Sequence, residues 1–279
     1  GIKVWADFEA QVAKIGTLIP DGTKAMGLYG DAIRRMSIDT GQSAEVVAEG
    51  LFQAISAGID ASKATEFMAT ASKAAVAGFT DMNVAVDGLT NVINAYGLDT
   101  KEAMRISDAF FVANKVGKTT FEELAQSVGQ WAPLASNLGA NYESVLSGLA
   151  SITLGGVSTA EAATGIKSAL VNILKPGADA LKLARKLKIA VGPQAIRQAG
   201  GFIEYLQQLR AATKGNAGAL SRLIPDVQGL NAVLRLTSTG GMKAMVDTMK
   251  MIGAEAGVTE LKFKEVSSTF SFQLGQMKQ

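Results

Sequence analysis

The feature that most constrains the fold of this chain is a regular succession of helix-start signals. From Ser37 onward, residues that suit a helix N-cap recur about every 17 to 22 residues, and their short side chains can accept hydrogen bonds from the first free amides of a helix. The predicted caps are Ser43, Asp60, Thr80, Asp99, Thr119, Asn141 and Ser158. Each interval accommodates one short helix and a turn, and alternating β-branched runs are missing. The sequence therefore predicts an all-α chain.

Acidic residues and glycines reinforce these signals. Three caps have an acid three residues later, a spacing that lets cap and acid satisfy each other's free backbone amides. These pairs are Asp99 with Glu102, Thr119 with Glu122 and Ser158 with Glu161. Three glycines precede predicted caps, where a helix end often needs a positive φ, namely Gly58, Gly97 and Gly156. Gly50, Gly88 and Gly148 lie inside predicted helices, where we expect tight helix packing, because such a glycine costs about 1 kcal/mol relative to alanine.

The pattern also repeats within the chain. A shift of 98 residues superposes several small and apolar residues, and a shift of 38 or 39 residues superposes fewer. The pairs at the longer shift include Gly41 with Gly139, Glu45 with Glu143, Gly50 with Gly148, Gly58 with Gly156 and Ala71 with Ala169. This spacing predicts many short helices in stacked helical hairpins, as degenerate repeats, with longer flanking helices at both ends. The alternative is coincidence, because alanine-rich helices match one another easily.

Composition and punctuation divide the chain into four expected segments. Residues 1–36 form N-terminal flanking helices that are interrupted at Pro20, and residues 37–190 form the core helical domain. Residues 191–257 form a C-terminal helical part of the core. Residues 258–279, whose apolar residues recur at steps of three or four, begin a further helix. The first residues show no basic stretch followed by an apolar core, so we expect no signal peptide.

The composition argues against an enzyme. The chain has no cysteine and no histidine, which removes thiolate catalysis and the commonest general base and metal ligand. The segment from Val116 to Thr119 resembles part of a phosphate-binding loop, but Val112 replaces the required earlier glycine and no strand precedes it. Glu122 and Glu123 fit an ordinary first helical turn. We therefore expect no catalytic, cofactor-binding or metal-binding residues, no cofactor and no small-molecule substrate.

The overall charge gives no case for a nucleic-acid partner. The chain has 27 basic and 25 acidic residues, a net charge of +2. One basic run, from Lys175 to Lys188, is opposed only by Asp179 and alternates with leucines, which predicts an amphipathic helix with a cationic face. Two interpretations stay open for that face: a solvated surface, or a contact with DNA or an anionic surface.

Two further stretches carry alternative interpretations. Residues Ser144 to Ala160 are uncharged and approach the length of a membrane span, but a Gly-Gly pair interrupts them, which favours a buried helix followed by a turn. Trp131 followed by Pro133 is expected to mark core packing and a helix break.

Three segments combine caps, alanines and glycines in a characteristic order. They are residues 27–75, 85–152 and 156–176, and the last reads GVSTAEAATGIKSALVNILKP. In that order and spacing, the chain resembles the core region of the bacteriophage tail tape-measure family over about residues 37 to 236. A weaker match at residues 219–237 departs from the family at Ile224-Pro225, where members often have Phe-Gly.

The resemblance implies a structural protein that occupies the growing tail tube, sets its length and leaves ahead of the genome at infection. It implies partners among tail tube proteins, tail-tip or baseplate proteins, tail assembly chaperones and other copies of the chain, with DNA or membrane contact during ejection. It implies a location in the tail lumen of the virion after assembly in the bacterial cytoplasm. Some members carry peptidase or muralytic domains elsewhere, and nothing in this sequence resembles one.

Two other functions stay open. The low charge and the Ser144 to Ala160 stretch suit a membrane-active helical module that forms part of a DNA-ejection channel, and the repeats suit a generic α-solenoid interaction domain.

The length of the chain bears on whether it could act as the ruler of a tape-measure protein. A single helix of 279 residues would span about 420 Å. The frequent caps and glycines instead predict short helices folded on one another, so we expect a compact assembly or tip-proximal domain rather than the ruler.

Overall fold

The structure is a computed structural model that describes residues 2–269 and residue 272, with side chains from Ala6 onward. Within this range the regular secondary structure is entirely helical, with sixteen α-helices and two short 3-10 turns, which confirms the all-α prediction. The first eight helices are α1 (Ile2–Gly16), α2 (Ala25–Thr40), α3 (Ala44–Ser56), α4 (Ala64–Ala77), α5 (Met82–Tyr96), α6 (Ala103–Val116), α7 (Phe121–Leu138) and α8 (Tyr142–Leu154). The other eight are α9 (Thr159–Leu174), α10 (Ala178–Leu187), α11 (Ala195–Ala199), α12 (Phe202–Thr213), α13 (Ala217–Leu223), α14 (Val227–Thr237), α15 (Thr239–Ala254) and α16 (Val258–Ser267).

The last expected helix is only partly covered by the described residues. Helix α16 ends at Ser267, whereas the apolar spacing in the sequence continued through Phe270, Leu274 and Met277. Those three residues lie outside the described part of the chain.

The chain divides into two compact units. Unit 1 comprises Gly1–Asp108 and Gly257–Gln279, and unit 2 comprises Ala109–Ala256. The chain leaves unit 1 after Asp108 and returns to it after Ala256. These bounds differ from those of the four sequence segments, which stay a prediction.

Unit 1 is built around α3. Helices α1, α4 and α5 all contact α3, and α16 packs on α4. Its buried side chains are mostly alanine and medium-sized aliphatic residues, with Phe67 as a large fully buried ring. Small side chains let helix axes approach closely, so this core gains its stability from many tight contacts between short helices.

Unit 2 is built around α8 and α9. Helix α9 packs against α7 and α14, and α8 packs against α15. Nearly every residue of α8 is buried, including several serines whose hydroxyl groups bond back to the helix or to a neighbour. Trp131 in α7 is 0% exposed, which confirms its expected place in the core.

The helices show the same 98-residue offset as the sequence pairs. Helix α3 (Ala44–Ser56) and helix α8 (Tyr142–Leu154) correspond at both ends, and α2 and α7 end at equivalent positions. The flanking glycines also correspond: Gly41 and Gly139 have φ of 66° and 86°, and Gly58 and Gly156 have 97° and 89°. Helices α2, α3 and α4 contact one another in unit 1, as α7, α8 and α9 do in unit 2. Each unit therefore contains one copy of a three-helix frame.

Several expected caps lie where the sequence placed them. The side chains of Ser43, Asn141 and Ser158 accept hydrogen bonds from the amide three residues later and begin α3, α8 and α9. Asp99 caps the 3-10 turn Thr100–Glu102 that leads into α6. These caps are confirmed.

Three other expected caps were misplaced by a few residues. Thr120, not Thr119, caps α7, where its hydroxyl and Glu123 form a reciprocal capping box. Asp81, rather than Thr80, occupies the N-cap position of α5, and its side chain makes no capping hydrogen bond there. Asp60 binds the amide of Ser62 in a turn, and α4 begins after Lys63. Adjacent polar residues compete for one cap, and only packing of the following helix decides the register.

Glycine and proline behave differently at helix ends. The expected positive φ is present at Gly58, Gly97 and Gly156. Pro133, by contrast, lies inside α7, so the helix break expected there was wrong. Proline has no amide hydrogen, so Pro133 cannot donate the helical hydrogen bond to the carbonyl of Gly129. Both residues are exposed, so water can bind that carbonyl and the helix continues.

Candidate functional surfaces

The sequence positions considered for chemistry form structural contacts. Among the described residues, no group of three or more acidic side chains is arranged to hold a metal ion. Glu122 accepts a hydrogen bond from the Gln126 amide at 3.1 Å, and Glu123 accepts one from the backbone amide of Thr120 at 3.1 Å. Both glutamates thus serve the first turns of α7.

The segment that resembled a phosphate loop forms a polar junction in unit 2. The Thr159 hydroxyl lies 2.7 Å from the Thr119 hydroxyl and 3.0 Å from a Glu123 carboxylate oxygen, so the first turns of α7 and α9 are joined. A Cβ on Gly117 would lie 2.9 Å from the Ala150 Cα. Glycine at 117 is therefore explained by the close approach of α8.

A second polar junction closes unit 1. One carboxylate oxygen of Asp108 accepts the backbone amide of Gly257 at 2.7 Å, and the other accepts the amide and hydroxyl of Thr259 at 2.8 Å and 2.7 Å. Asp108 is 5% exposed. A carboxylate at a helix N-terminus accepts hydrogen bonds from the free amides and interacts favourably with the positive end of the helix dipole. Asp108 thereby fixes the start of α16, a contact over about 150 residues that no sequence pattern indicated.

Helices α9 and α14 cross at two glycines in unit 2. A Cβ on Gly165 would lie 2.9 Å from the Ala232 Cβ and 3.0 Å from the Gln228 carbonyl oxygen, and a Cβ on Gly229 would lie 2.9 Å from the Ala169 amide nitrogen. The two backbones therefore touch at this crossing.

One carboxylate ties this crossing together. Asp226 accepts hydrogen bonds from the Ser168 hydroxyl on α9 and from the Gly229 amide at 2.9 Å. These bonds, the Ser168 bond first, lower the pKa of Asp226 below its ordinary value. The side chain thus caps α14 and anchors it to α9.

Helix α10 carries the expected cationic face. Lys182, Arg185 and Lys186 are exposed on one side, while Leu183 and Ala184 are buried on the other. Asp179, the one acid of α10, accepts two hydrogen bonds from the Arg222 guanidinium at 2.7 and 2.8 Å. This contact holds the pKa of Asp179 below its ordinary value.

Each unit has clefts on its surface. A cleft of about 620 Å³ in unit 2 is lined by Arg210 and Lys214 beside the start of α15, where the Arg210 guanidinium donates to the Thr239 hydroxyl at 2.8 Å. A cleft of about 490 Å³ in unit 1 is lined by Phe79, Val76 and Val266.

Phe79 stands out on the surface of unit 1. It is 81% exposed and has a φ of +50°, a left-handed conformation that a bulky residue rarely adopts. It follows Gly78 at the end of α4, where the Thr80 amide donates to the Ala75 carbonyl at 3.0 Å. This is the position that glycine takes at many helix ends, so Phe79 holds a strained backbone and exposes its ring.

The uncharged stretch from Ser144 to Ala160 is divided between helices. It comprises most of α8, a turn at Gly155 and Gly156, and the start of α9, which is the buried helix and turn expected from the Gly-Gly pair. None of the described helices combines the length and apolar character that crossing a membrane requires.

Comparison with known proteins places this chain in a family. A sequence model of the phage-related minor tail protein family matches residues 30–224. The match ends at Ile224, the point at which the sequence departs from the tape-measure pattern. No solved structure matches the chain with significance.

Two curated relatives are similar over most of the chain. A probable tape measure protein of Clostridium phage phiCD119 is 28% identical over 287 residues, which cover 99% of this chain and 30% of the relative. A tape measure protein of Pneumococcus phage Dp-1 is 23% identical over 250 residues, which cover 88% of this chain and 21% of the relative. The chain thus spans less than a third of the length of these relatives.

These matches confirm the resemblance found in the order of caps, glycines and alanines. The family match covers well over half of the chain, including the whole three-helix frame of unit 2. The chain belongs to the phage-related minor tail protein family.

Proposed function

We propose that this chain is a structural part of a phage tail, as a folded domain of a tape measure protein. The observation that carries the proposal is the family match over residues 30–224 together with similarity to two proteins named tape measure proteins. In this role the chain belongs to a protein that takes part in tail assembly, in length determination and in genome ejection.

The helix lengths support a folded domain rather than an extended ruler. The longest described helix, α7, has 18 residues and spans about 27 Å. The whole chain as one continuous helix would span about 420 Å. Turns with left-handed glycines and buried polar junctions separate the helices, so extending the chain would require breaking both compact cores.

The proposed location is the tail lumen of the virion, after assembly in the bacterial cytoplasm. The proposed partners are tail tube and tail-tip or baseplate proteins and tail assembly chaperones. The exposed Phe79 ring beside its apolar cleft and the cationic side of α10 are surfaces that suit such contacts. Contiguous exposed apolar patches often mark protein contacts, and the Phe79 ring lines the same cleft as Val76 and Val266.

The chain acts through its surfaces and not through a reaction. It contains no histidine or cysteine, and its acids at helix starts are engaged in capping. This is the basis for proposing a structural rather than an enzymatic role.

The experiment uses a phage that encodes this chain. An amber codon at Trp131 stops translation inside α7, and growth on a suppressor host that inserts tryptophan provides the matched control. We expect heads without tails, or with aberrant tails, on the non-suppressing host under negative-stain electron microscopy. Normal, infectious tails that lack the chain by mass spectrometry would contradict the proposal.

A further inference from the structure

The near-neutral charge of the whole chain conceals a separation between the two units. Unit 1 has 12 lysines and arginines against 16 aspartates and glutamates, a net charge of −4, and unit 2 has 15 against 9, a net charge of +6. A separation of this kind favours contacts with oppositely charged surfaces.

Two neighbouring helices of unit 1 contain no lysine or arginine. These are α3 and α5, which pack together. The Asn83 side-chain amide donates to Glu49 at 3.5 Å near one end, and the Asn94 amide donates to the Ala57 carbonyl at 2.8 Å near the other. The two helices therefore run side by side in the same direction.

Four exposed carboxylates lie on these helices, and we call them the acidic face. They are Glu45 and Glu49 on α3, and Asp81 and Asp87 at the start and middle of α5. In the described part of the chain, none of the four takes part in an ion pair.

Four exposed cations form the counterpart in unit 2, and we call them the basic face. They are Lys182, Arg185 and Lys186 on α10, and Lys188 directly after it. The described residues include no ion-pair partner for these four, and the one acid of α10, Asp179, is already engaged by Arg222. The opposite side of α10 is buried, so the four cations stand on a helix that is fixed to the unit.

We propose that the acidic face of one copy of this chain binds the basic face of a second copy. Charge complementarity is the evidence for this occupant, because each chain presents both faces and four charges stand on each. A nucleic acid would use the basic face alone and leave the acidic face without a role. Because the two faces differ, the contact is heterologous, so successive copies form a ring or an open series.

Salt should control this association. Exposed charges are screened over about 10 Å at 0.1 M salt and over about 3 Å at 1 M. We therefore expect association of the purified 279-residue chain at low salt and its loss in concentrated NaCl. Complementary charged faces act mainly through selectivity and the rate of encounter, so the contact is salt-sensitive and reversible.

Reciprocal charge reversal tests the proposal. The acidic-face variant carries Glu45→Lys, Glu49→Lys and Asp87→Lys, and the basic-face variant carries Lys182→Glu, Arg185→Glu and Lys186→Glu. Asp81 is left in place because it occupies the N-cap position of α5, next to the helix N-terminus. By sedimentation velocity at low salt, we expect wild type to associate and each variant alone to associate at least about tenfold more weakly, a change of about 1.4 kcal/mol. A mixture of the two variants should associate again, since each then meets an opposite face.

A control variant distinguishes an effect of the basic face from an effect of the total net charge. Lys14→Glu, Lys250→Glu and Lys264→Glu alter three exposed lysines outside both faces and change the net charge by the same amount as the basic-face variant. We expect this control to associate like wild type. Far-ultraviolet circular dichroism and thermal melting confirm that all variants remain folded.

Three results would overturn the proposal. One is a wild-type chain that stays monomeric at low salt. Another is a control variant that loses association as fully as the basic-face variant. The third is binding of duplex DNA that the basic-face variant loses, without association in the mixture of variants, which would identify nucleic acid as the partner of that face.

Discussion

The two units share a three-helix frame but fill an equivalent position in opposite ways. Phe67 in α4 corresponds to Gly165 in α9 at the 98-residue offset. Phe67 is 1% exposed and supplies bulk to the core of unit 1. At Gly165 a Cβ would lie 2.9 Å from the Ala232 Cβ, because α14 takes the space that a side chain would need. One unit fills the position with a ring and the other with a helix backbone.

Gly50 and Gly148, a second pair of equivalent residues, differ in how closely their neighbours approach. A Cβ on Gly50 would lie 2.7 Å from Met82 Cγ and 2.8 Å from Met68 Cε, whereas a Cβ on Gly148 would lie 3.4 Å or more from Ile166, Met245 and Leu236. The mid-helix glycine of α3 thus permits a close contact with methionines, and that of α8 leaves room for a methyl group. The expected tight packing holds at Gly50 and is looser at Gly148.

The comparison shows that the two units share the three-helix frame but differ in the helices that cover it. The frame repeats its caps and left-handed glycines, which set where helices begin and end. The covering helices differ: α1, α5 and α16 in unit 1, and α14 and α15 in unit 2. Residues that face them have diverged, and substitutions at these positions should therefore have unequal effects in the two units.

The largest expected effect is at Phe67. Phe67→Ala removes a fully buried ring from unit 1 and should lower the free energy of unfolding by about 3–5 kcal/mol, through lost burial and the remaining cavity. Urea unfolding followed by circular dichroism measures the change, and hydrogen exchange locates it in α4. Phe79→Ala, at an exposed ring, is the matched control. A loss below 1 kcal/mol or so at Phe67 would show that unit 1 does not depend on this ring.

Alanine substitutions at Gly165 and Gly148 in unit 2 should change the free energy of unfolding in opposite directions. Gly165→Ala forces a methyl group against the α14 backbone and should destabilise by about 1–3 kcal/mol. Gly148→Ala meets only ordinary contacts and should stabilise α8 by up to about 1 kcal/mol, because alanine is the better helix former. Thermal and urea unfolding of the two variants measure this difference. Equal effects would contradict the assignment of Gly165, and not Gly148, as the site of backbone contact.

Glycine at the strained helix end of unit 1 should be stabilising. Phe79→Gly removes the left-handed strain of a bulky residue, and after the entropy cost of glycine the gain should be up to about 1 kcal/mol. Lys188→Gly in unit 2, with a φ of 56°, is the matched variant and should shift the melting temperature in the same direction. A loss of stability at Phe79 would show that its ring makes favourable contacts in the free chain.

The smallest expected effect depends on pH. In unit 1 the Lys63 ammonium at 2.7 Å, and then the Lys101 amide at 3.0 Å, lower the pKa of Asp99 to about 2. Because the folded pKa lies below the unfolded value, this contribution is full above about pH 4 and is lost as the pH falls towards 2. Asp99→Asn should therefore reduce the acid sensitivity of unfolding in that window, as measured by urea titrations at several pH values. In unit 2, Asp179→Asn is the counterpart, and no change with either variant would contradict these ionic contacts.

Local features of the fold could be predicted because their causes lie within a few residues. Ser158 caps α9 since a hydroxyl followed by suitable helix formers satisfies the first amides, and Gly97 ends α5 since the turn requires a positive φ. The register failed where two similar residues adjoin, as at Thr119 and Thr120. It also failed at Pro133, where exposure of the freed carbonyl depends on which side of α7 faces water.

Features that join distant residues could not be predicted from one sequence. Asp108 binds the start of α16 across about 150 residues, and neither end carries a local signal for the other. The contact of Gly165 with α14 likewise depends on tertiary packing. The basic face lies within the run from Lys175 to Lys188 that the sequence already indicated, whereas the pairing of α3 with α5 and the opposite net charges of the two units became visible only in the structure.

The most direct test of the central claim is tail length after removal of unit 2. In a phage that encodes this chain, deletion of Ala109–Ala256 joins Asp108 to Gly257, whose amide already lies 2.7 Å from the Asp108 carboxylate, so unit 1 can close. If unit 2 is a compact domain, tails seen by electron microscopy should keep their length. Tails shortened by about 220 Å, the length of the deleted residues as one continuous helix, would contradict a compact domain and identify this segment as part of an extended ruler.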